Sequence, residues 1–129
     1  MKTLTFFYLT CIAFVSIMLA SCEHLPELKP GTPEVCFDRD VMLIINSNCN
    51  VDGCHGGGEG PRLSTYDEVF RYVTPGDPRK SKLHKVITAG NINPNLMPPK
   101  PKSRLTSENI DIINIWILQG AKPNTATCP

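Results

Sequence analysis

Two cysteines and one histidine lie within a single seven-residue string, Cys49-Asn50-Val51-Asp52-Gly53-Cys54-His55. Thiols and an imidazole bind metals or form covalent bonds, so this string is the first candidate for chemistry. A structural zinc site takes four ligands, usually in two spaced pairs, and the sequence contains no second pair. A disulfide between Cys49 and Cys54 would leave His55 without a role. A chemistry that uses both thiols and the adjacent imidazole therefore accounts for the string best.

The spacing is close to the Cys-x-x-Cys-His string of covalent haem attachment, with four intervening residues in place of two. Four residues span the same pair of vinyl groups if the extra residues bulge away, and Gly53 permits such a bulge. The string resembles the haem site of the c-type cytochromes, in the less common Cys-x4-Cys-His variant. We expect Cys49 and Cys54 to hold one haem c covalently, with His55 as the proximal iron ligand.

A proline-rich loop at residues 91–101 contains the candidate for the second axial ligand. Its prolines disfavour a helix or a central strand and stiffen it in an extended form. Met97 lies 42 residues after His55, and residues 97–99 resemble the Met-Pro-Pro run that supplies the sixth ligand in small cytochromes c. We expect Met97 to be the distal ligand. His84 is the rival, although its place on an amphipathic helix favours a surface position.

Four of the five residues that follow the haem-like string, at positions 56–60, are glycines. A phosphate-binding P-loop is disfavoured, since no strand precedes them and no Lys-Ser/Thr pair follows. The next residues, Gly60 to Leu63, resemble the Gly-Pro-x-Leu run of class I cytochromes c. That resemblance implies that the Pro61 carbonyl accepts a hydrogen bond from His55 and that Leu63 packs on the haem.

Apolar periodicity and capping residues predict an all-α fold of three to four short helices. The resemblance implies the cytochrome c arrangement, in which these helices surround one haem and the N- and C-terminal helices cross, with Trp116 inside. Tyr66 has two alternatives, a hydrogen bond to a haem propionate or simple packing. The expected helices run from about Asp38 to Asn46, from Ser64 or Thr65 through Val73, from about Lys80 to Ala89, and from a Thr106 cap to Gly120.

The N-terminus predicts export and a lipid anchor. Residues 1–21 have a lysine at position 2 and a long apolar run, as a signal peptide does; a membrane span is the rival. Leu19-Ala20-Ser21-Cys22 resembles a bacterial lipobox, which implies that Cys22 is lipidated. Residues 22–35 are proline-rich and predict a tether, and residues 36–129 form the folded domain. We expect an extracytoplasmic location on a bacterial membrane.

Two further cysteines remain, Cys36 and Cys128, because Cys11 leaves with the signal. An oxidising compartment favours disulfides, so we predict that these two are joined. Closing a loop of about 90 residues stabilises the fold by roughly 4 to 5 kcal/mol in the chain-entropy model.

Charge is balanced after removal of the signal but unevenly distributed. Acidic residues outnumber basic ones nine to three between positions 23 and 68, and basic residues outnumber acidic ones eight to one between positions 71 and 104. The basic stretch is either a solvated face or a surface that steers an acidic redox partner. Nucleic-acid binding is disfavoured, since the exported chain has no net positive charge.

These features predict a membrane-anchored one-electron carrier that transfers electrons to an unidentified redox protein, without enzymatic activity. One alternative is a haem enzyme, peroxidase-like or a reductase, with an open sixth position. The other is a haem-free metal-binding lipoprotein that uses Cys49, Cys54, His55 and His84.

Overall fold

The computed structural model describes residues 27–58, 60–90, 93–123 and 128. Within these residues the regular structure is helical and contains no strand, which confirms the all-α prediction. The signal peptide, the lipidation site Cys22 and the first part of the tether lie outside the described residues. None of the described helices is long and apolar enough to cross a membrane. The elements are a π-helical segment (Phe37–Val41), α1 (Met42–Asn48), α2 (Tyr66–Phe70), α3 (Lys82–Thr88) and α4 (Ser107–Leu118).

The π-helical segment and α1 follow each other without a break and form because their apolar residues recur at helical spacing. Phe37, Val41 and Ile45 fall on one face and are almost completely buried. Asp40 supports the first turn, since its Oδ2 accepts a hydrogen bond from the Cys36 amide at 2.8 Å. The helix continues to Asn48, two residues beyond the predicted end, and leads directly into the cysteine string.

Side-chain caps fix the starts of α2 and α4, as predicted. Thr65 forms a capping box with Glu68, and the Thr106 hydroxyl accepts a hydrogen bond from the Asn109 amide at 3.2 Å. Such caps satisfy amide groups that the first turn leaves without a helical partner. Helix α2 is shorter than predicted and excludes Val73, because the amide of Val73 bonds three residues back, to Phe70, in a tighter turn.

Aromatic rings join the N-terminal segment to α2 and α4. The Phe37 ring lies 5.1 Å from that of Tyr66 and 5.4 Å from that of Trp116, measured between centroids. Trp116 is 1% exposed, as predicted, and donates its indole N–H to the Lys122 carbonyl. The Tyr66 hydroxyl donates to the Ala121 carbonyl at 2.9 Å. Tyr66 therefore packs in this cluster, and its hydroxyl already has a partner in the Ala121 carbonyl, which favours the packing alternative.

Two links tie the two ends of the domain together. Cys36 and Cys128 are paired in a disulfide with their Cα atoms 5.4 Å apart, across 92 residues of sequence. Gln119, just after α4, accepts a hydrogen bond from the Val35 amide and donates one to the Pro33 carbonyl. The end of the tether is thereby held against the end of α4.

Candidate functional site

The cysteine string folds into a compact loop at the end of α1. The Cys49 amide still donates to the Ile45 carbonyl at 2.8 Å, and the His55 amide donates back to the Cys49 carbonyl at 3.1 Å. Gly53 adopts a φ of +76°, a backbone conformation that favours glycine. This is the conformation expected if the two additional residues bulge away and bring the two ends of the string together.

The His55 ring has a defined orientation. Its Nδ1 lies 2.7 Å from the Pro61 carbonyl oxygen, the contact implied by the Gly-Pro-x-Leu resemblance. A carbonyl oxygen only accepts, so Nδ1 carries a proton in this contact, and in a neutral imidazole the lone pair then lies on Nε2. A neutral imidazole held in this tautomer is the form that binds a metal, and such a second hydrogen bond is what fixes it.

Gly60 lies against the same ring. A Cβ atom built on Gly60 would be 2.9 Å from Nδ1 of His55, closer than real side chains approach. The backbone at Gly60 therefore approaches the imidazole in a way that any larger residue would prevent.

A cavity of about 510 Å³ brings together the predicted haem residues. Cys49, Cys54, His55 and Met97 all line it, although Met97 is far from the others in sequence. Its volume is within the range of small-molecule and cofactor sites, roughly 300 to 1,000 Å³. The remaining wall consists of Asn48, three glycines (Gly53, Gly58 and Gly60) and the loop prolines Pro98 and Pro99.

A second cavity, of about 230 Å³, shares His55 and Met97 with the first. Pro61 and Leu63 line it, as the resemblance implied for residues near a haem. Both cavities therefore meet the same imidazole and the same thioether, and together they provide an apolar space next to two candidate axial ligands.

The loop around Met97 is attached to α3. The Met97 amide donates to the Val86 carbonyl at 2.9 Å, and the neighbouring Leu96 is 4% exposed. Arg104 extends this support by donating to the Ile87 and Ala89 carbonyls at the end of α3. The backbone that carries the methionine sulfur is thus fixed by contacts on both sides of the loop.

His84 is placed differently from Met97. It lies on α3 but lines neither of the two cavities, and burial lowers the pKa of its imidazole. Met97, unlike His84, therefore shares both cavities with His55.

The two site cysteines are free thiols. Burial, with a smaller contribution from Cys54, raises the pKa of Cys49 to about 11. Residues 27–58, 60–90, 93–123 and 128 also contain no group of three or more His, Cys, Asp or Glu side chains arranged to hold a metal ion. Within that part of the chain the four ligands of the zinc alternative are not brought together, since His84 does not line the cavity that Cys49, Cys54 and His55 share.

Sequence reasoning missed two residues of the second cavity, Tyr72 and Lys82. The Lys82 ammonium lies 5.7 Å from the centre of the Tyr72 ring, within the range of a cation–π contact. Lys82 is one of eight basic residues between positions 71 and 104, and nothing in the sequence distinguishes it from the others. Only the packing of α3 against the turn after α2 does so.

No protein-family model, curated protein or solved structure matches this chain. The resemblance to c-type cytochromes therefore depends on the site residues themselves and on the helical order around them.

Proposed function

We propose that this protein is a monohaem c-type cytochrome with a cytochrome c-like fold, which carries single electrons on the outer side of a bacterial membrane. The observation that carries the proposal is the convergence of four groups on one cavity: the thiols of Cys49 and Cys54, the imidazole of His55 and the thioether of Met97. Two thiols suit the two vinyl groups of a haem, and His/Met is a common axial pair of electron-transfer cytochromes.

The donor set fits a haem in its chemistry as well as in its number. The Pro61 carbonyl leaves the His55 lone pair on Nε2, where a metal would be bound. The thioether of Met97 is a soft ligand that favours ferrous iron, so it raises the reduction potential. A haem enzyme would need an open sixth position, and the position of Met97 argues against that alternative.

When bound, the haem supplies a one-electron couple between ferric and ferrous iron. The protein's contribution is to keep the ligands in place in both oxidation states. Pro61 orients His55, Gly60 allows the backbone to approach the ring, and the hydrogen bond from Met97 to Val86 fixes the opposite side. Rigid ligands keep reorganisation small, which is what an electron carrier requires.

Export and anchoring are part of the same proposal. The lipobox-like string ending at Cys22 supports a lipid anchor, and residues 22–35 would connect that anchor to the domain. The Cys36–Cys128 disulfide supports an oxidising compartment. A redox protein is the expected partner.

Covalent attachment is the direct test. Expressed in a host that matures c-type cytochromes, the protein should retain a haem-stained band after denaturing gel electrophoresis. Replacing both Cys49 and Cys54 with alanine should abolish that band while leaving the Cys36–Cys128 bridge intact. Colour that acid–acetone extraction removes from the parent protein would contradict the proposal.

A further inference from the structure

The two cavities at the candidate haem site differ in their polar groups. The larger one contains the two cysteine thiols and Asn48, and the smaller one contains Tyr72, Lys82 and Asn95. His55 and Met97 belong to both. The thiols and the Lys82 side chain therefore belong to two different cavities, which meet at the imidazole and the thioether.

A haem has a matching polarity between two opposite edges of its plane. Its two vinyl groups are at one edge of the porphyrin and its two propionates are at the opposite edge. Thioether bonds to Cys49 and Cys54 would place the vinyl side in the larger cavity. If His55 and Met97 hold the iron, the propionate edge would then be directed toward the smaller cavity, which both of these residues also line.

Carboxylates that enter a cavity need donors, since burying an unpaired carboxylate is costly. Most of the smaller cavity's wall is apolar and is formed by Pro61, Leu63, Leu83, Val86 and Pro94. Against this wall Lys82 provides the only full positive charge among the lining residues, and Tyr72 provides a hydroxyl donor.

We propose that Lys82 and Tyr72 receive the haem propionates and that Lys82 sets part of the reduction potential. This inference rests on the proposed function, because it requires that the protein hold a haem. Bonds from an ammonium or a phenol to a carboxylate are charge-assisted and are stronger than neutral hydrogen bonds.

The structure holds these two side chains together before any ligand is considered. The Leu83 amide donates to the Tyr72 carbonyl at 2.9 Å, which joins the start of α3 to the turn after α2. The Lys82 ammonium lies over the Tyr72 ring at 5.7 Å. The two donors are thus fixed as a pair beside the cavity.

A positive charge beside the propionates opposes the ferric state, which carries one more positive charge than the ferrous state. Lys82→Gln should therefore shift the equilibrium toward ferric iron at least threefold, which is about 28 mV at 59 mV per tenfold change for one electron. Lys82→Arg keeps the charge and should stay close to the parent potential.

Lys85 provides the matched control. It is exposed, lies on the same helix and lines neither cavity, so Lys85→Gln makes the same change in net charge. We expect its effect on the potential to be less than half of that of Lys82→Gln. Tyr72→Phe removes only the hydroxyl, and we expect it to shift the propionate bending band in the resonance Raman spectrum, as Lys82→Gln should.

The redox titrations and Raman spectra use the full-length protein purified in detergent. A larger effect at Lys82 than at Lys85, together with a Raman shift in Tyr72→Phe, supports the assignment. Equal shifts in the two lysine variants, or propionate bands unchanged in both cavity variants, would overturn it while the covalent haem and the His/Met spectrum remain. A parent protein without haem would instead refute the proposed function itself.

Discussion

Replacing Met97 with alanine tests the proposed iron ligand without disturbing its support. The Met97 amide bonds to the Val86 carbonyl through the backbone, and that bond survives the substitution. The buried anchor of the loop is Leu96, which is unchanged. Met97 itself is only half-buried, so we expect a loss of stability below the 2 to 5 kcal/mol typical of truncating a fully buried methionine.

The expected magnitude follows from the ligand chemistry. If the thioether binds ferrous iron at least ten times more tightly than ferric iron, its loss lowers the potential by at least about 59 mV. Haem should remain attached, because Cys49 and Cys54 are unaffected. The spectrum should change from low spin to high spin, and peroxidase activity should increase because the sixth position is open.

The assay combines visible spectra with a redox titration of Met97→Ala, and His84→Ala is the control. His84 lines neither cavity, so its variant should keep the parent spectrum and potential. The reasoning is refuted if Met97→Ala keeps both while His84→Ala changes both, because the iron would then have two histidine ligands.

Three further predictions concern the fold, the proximal histidine and the anchor. Cys36→Ser should reduce the stability by roughly 4 to 5 kcal/mol and so lower the melting temperature by about 20 °C, without altering the haem spectrum. A calorimetric shift of only a few degrees would count against the chain-entropy model of this disulfide. Gly60→Ala places a Cβ 2.9 Å from Nδ1 of His55, and we expect it to lower the reduction potential and broaden the visible spectrum. Gly90→Ala is the control and should have neither effect, because a Cβ at Gly90 has no atom within 4 Å. Cys22→Ser should yield unlipidated protein in metabolic labelling with a fatty acid, and continued labelling would refute the anchor.

Local signals predicted the helices well. Thr65 and Thr106 cap the helices that their sequence contexts indicated, because a cap depends only on residues within one turn. Trp116 is buried, as the resemblance implied. The predicted end of α2 lies a few residues beyond the observed one. The turn at Val73 depends on backbone hydrogen bonds that hydrophobic periodicity does not indicate.

The sequence by itself determined the cysteine string, its adjacent histidine and the methionine loop, because each is a short run in which residue type and spacing carry the chemistry. Only the tertiary structure decided which distant groups meet. It placed Met97 with His55 through the attachment of the loop to α3, and it placed Tyr66 in the aromatic cluster while Tyr72 lines a cavity. The direction in which a side chain faces depends on how whole helices pack, and that packing is fixed by contacts between residues far apart in the chain.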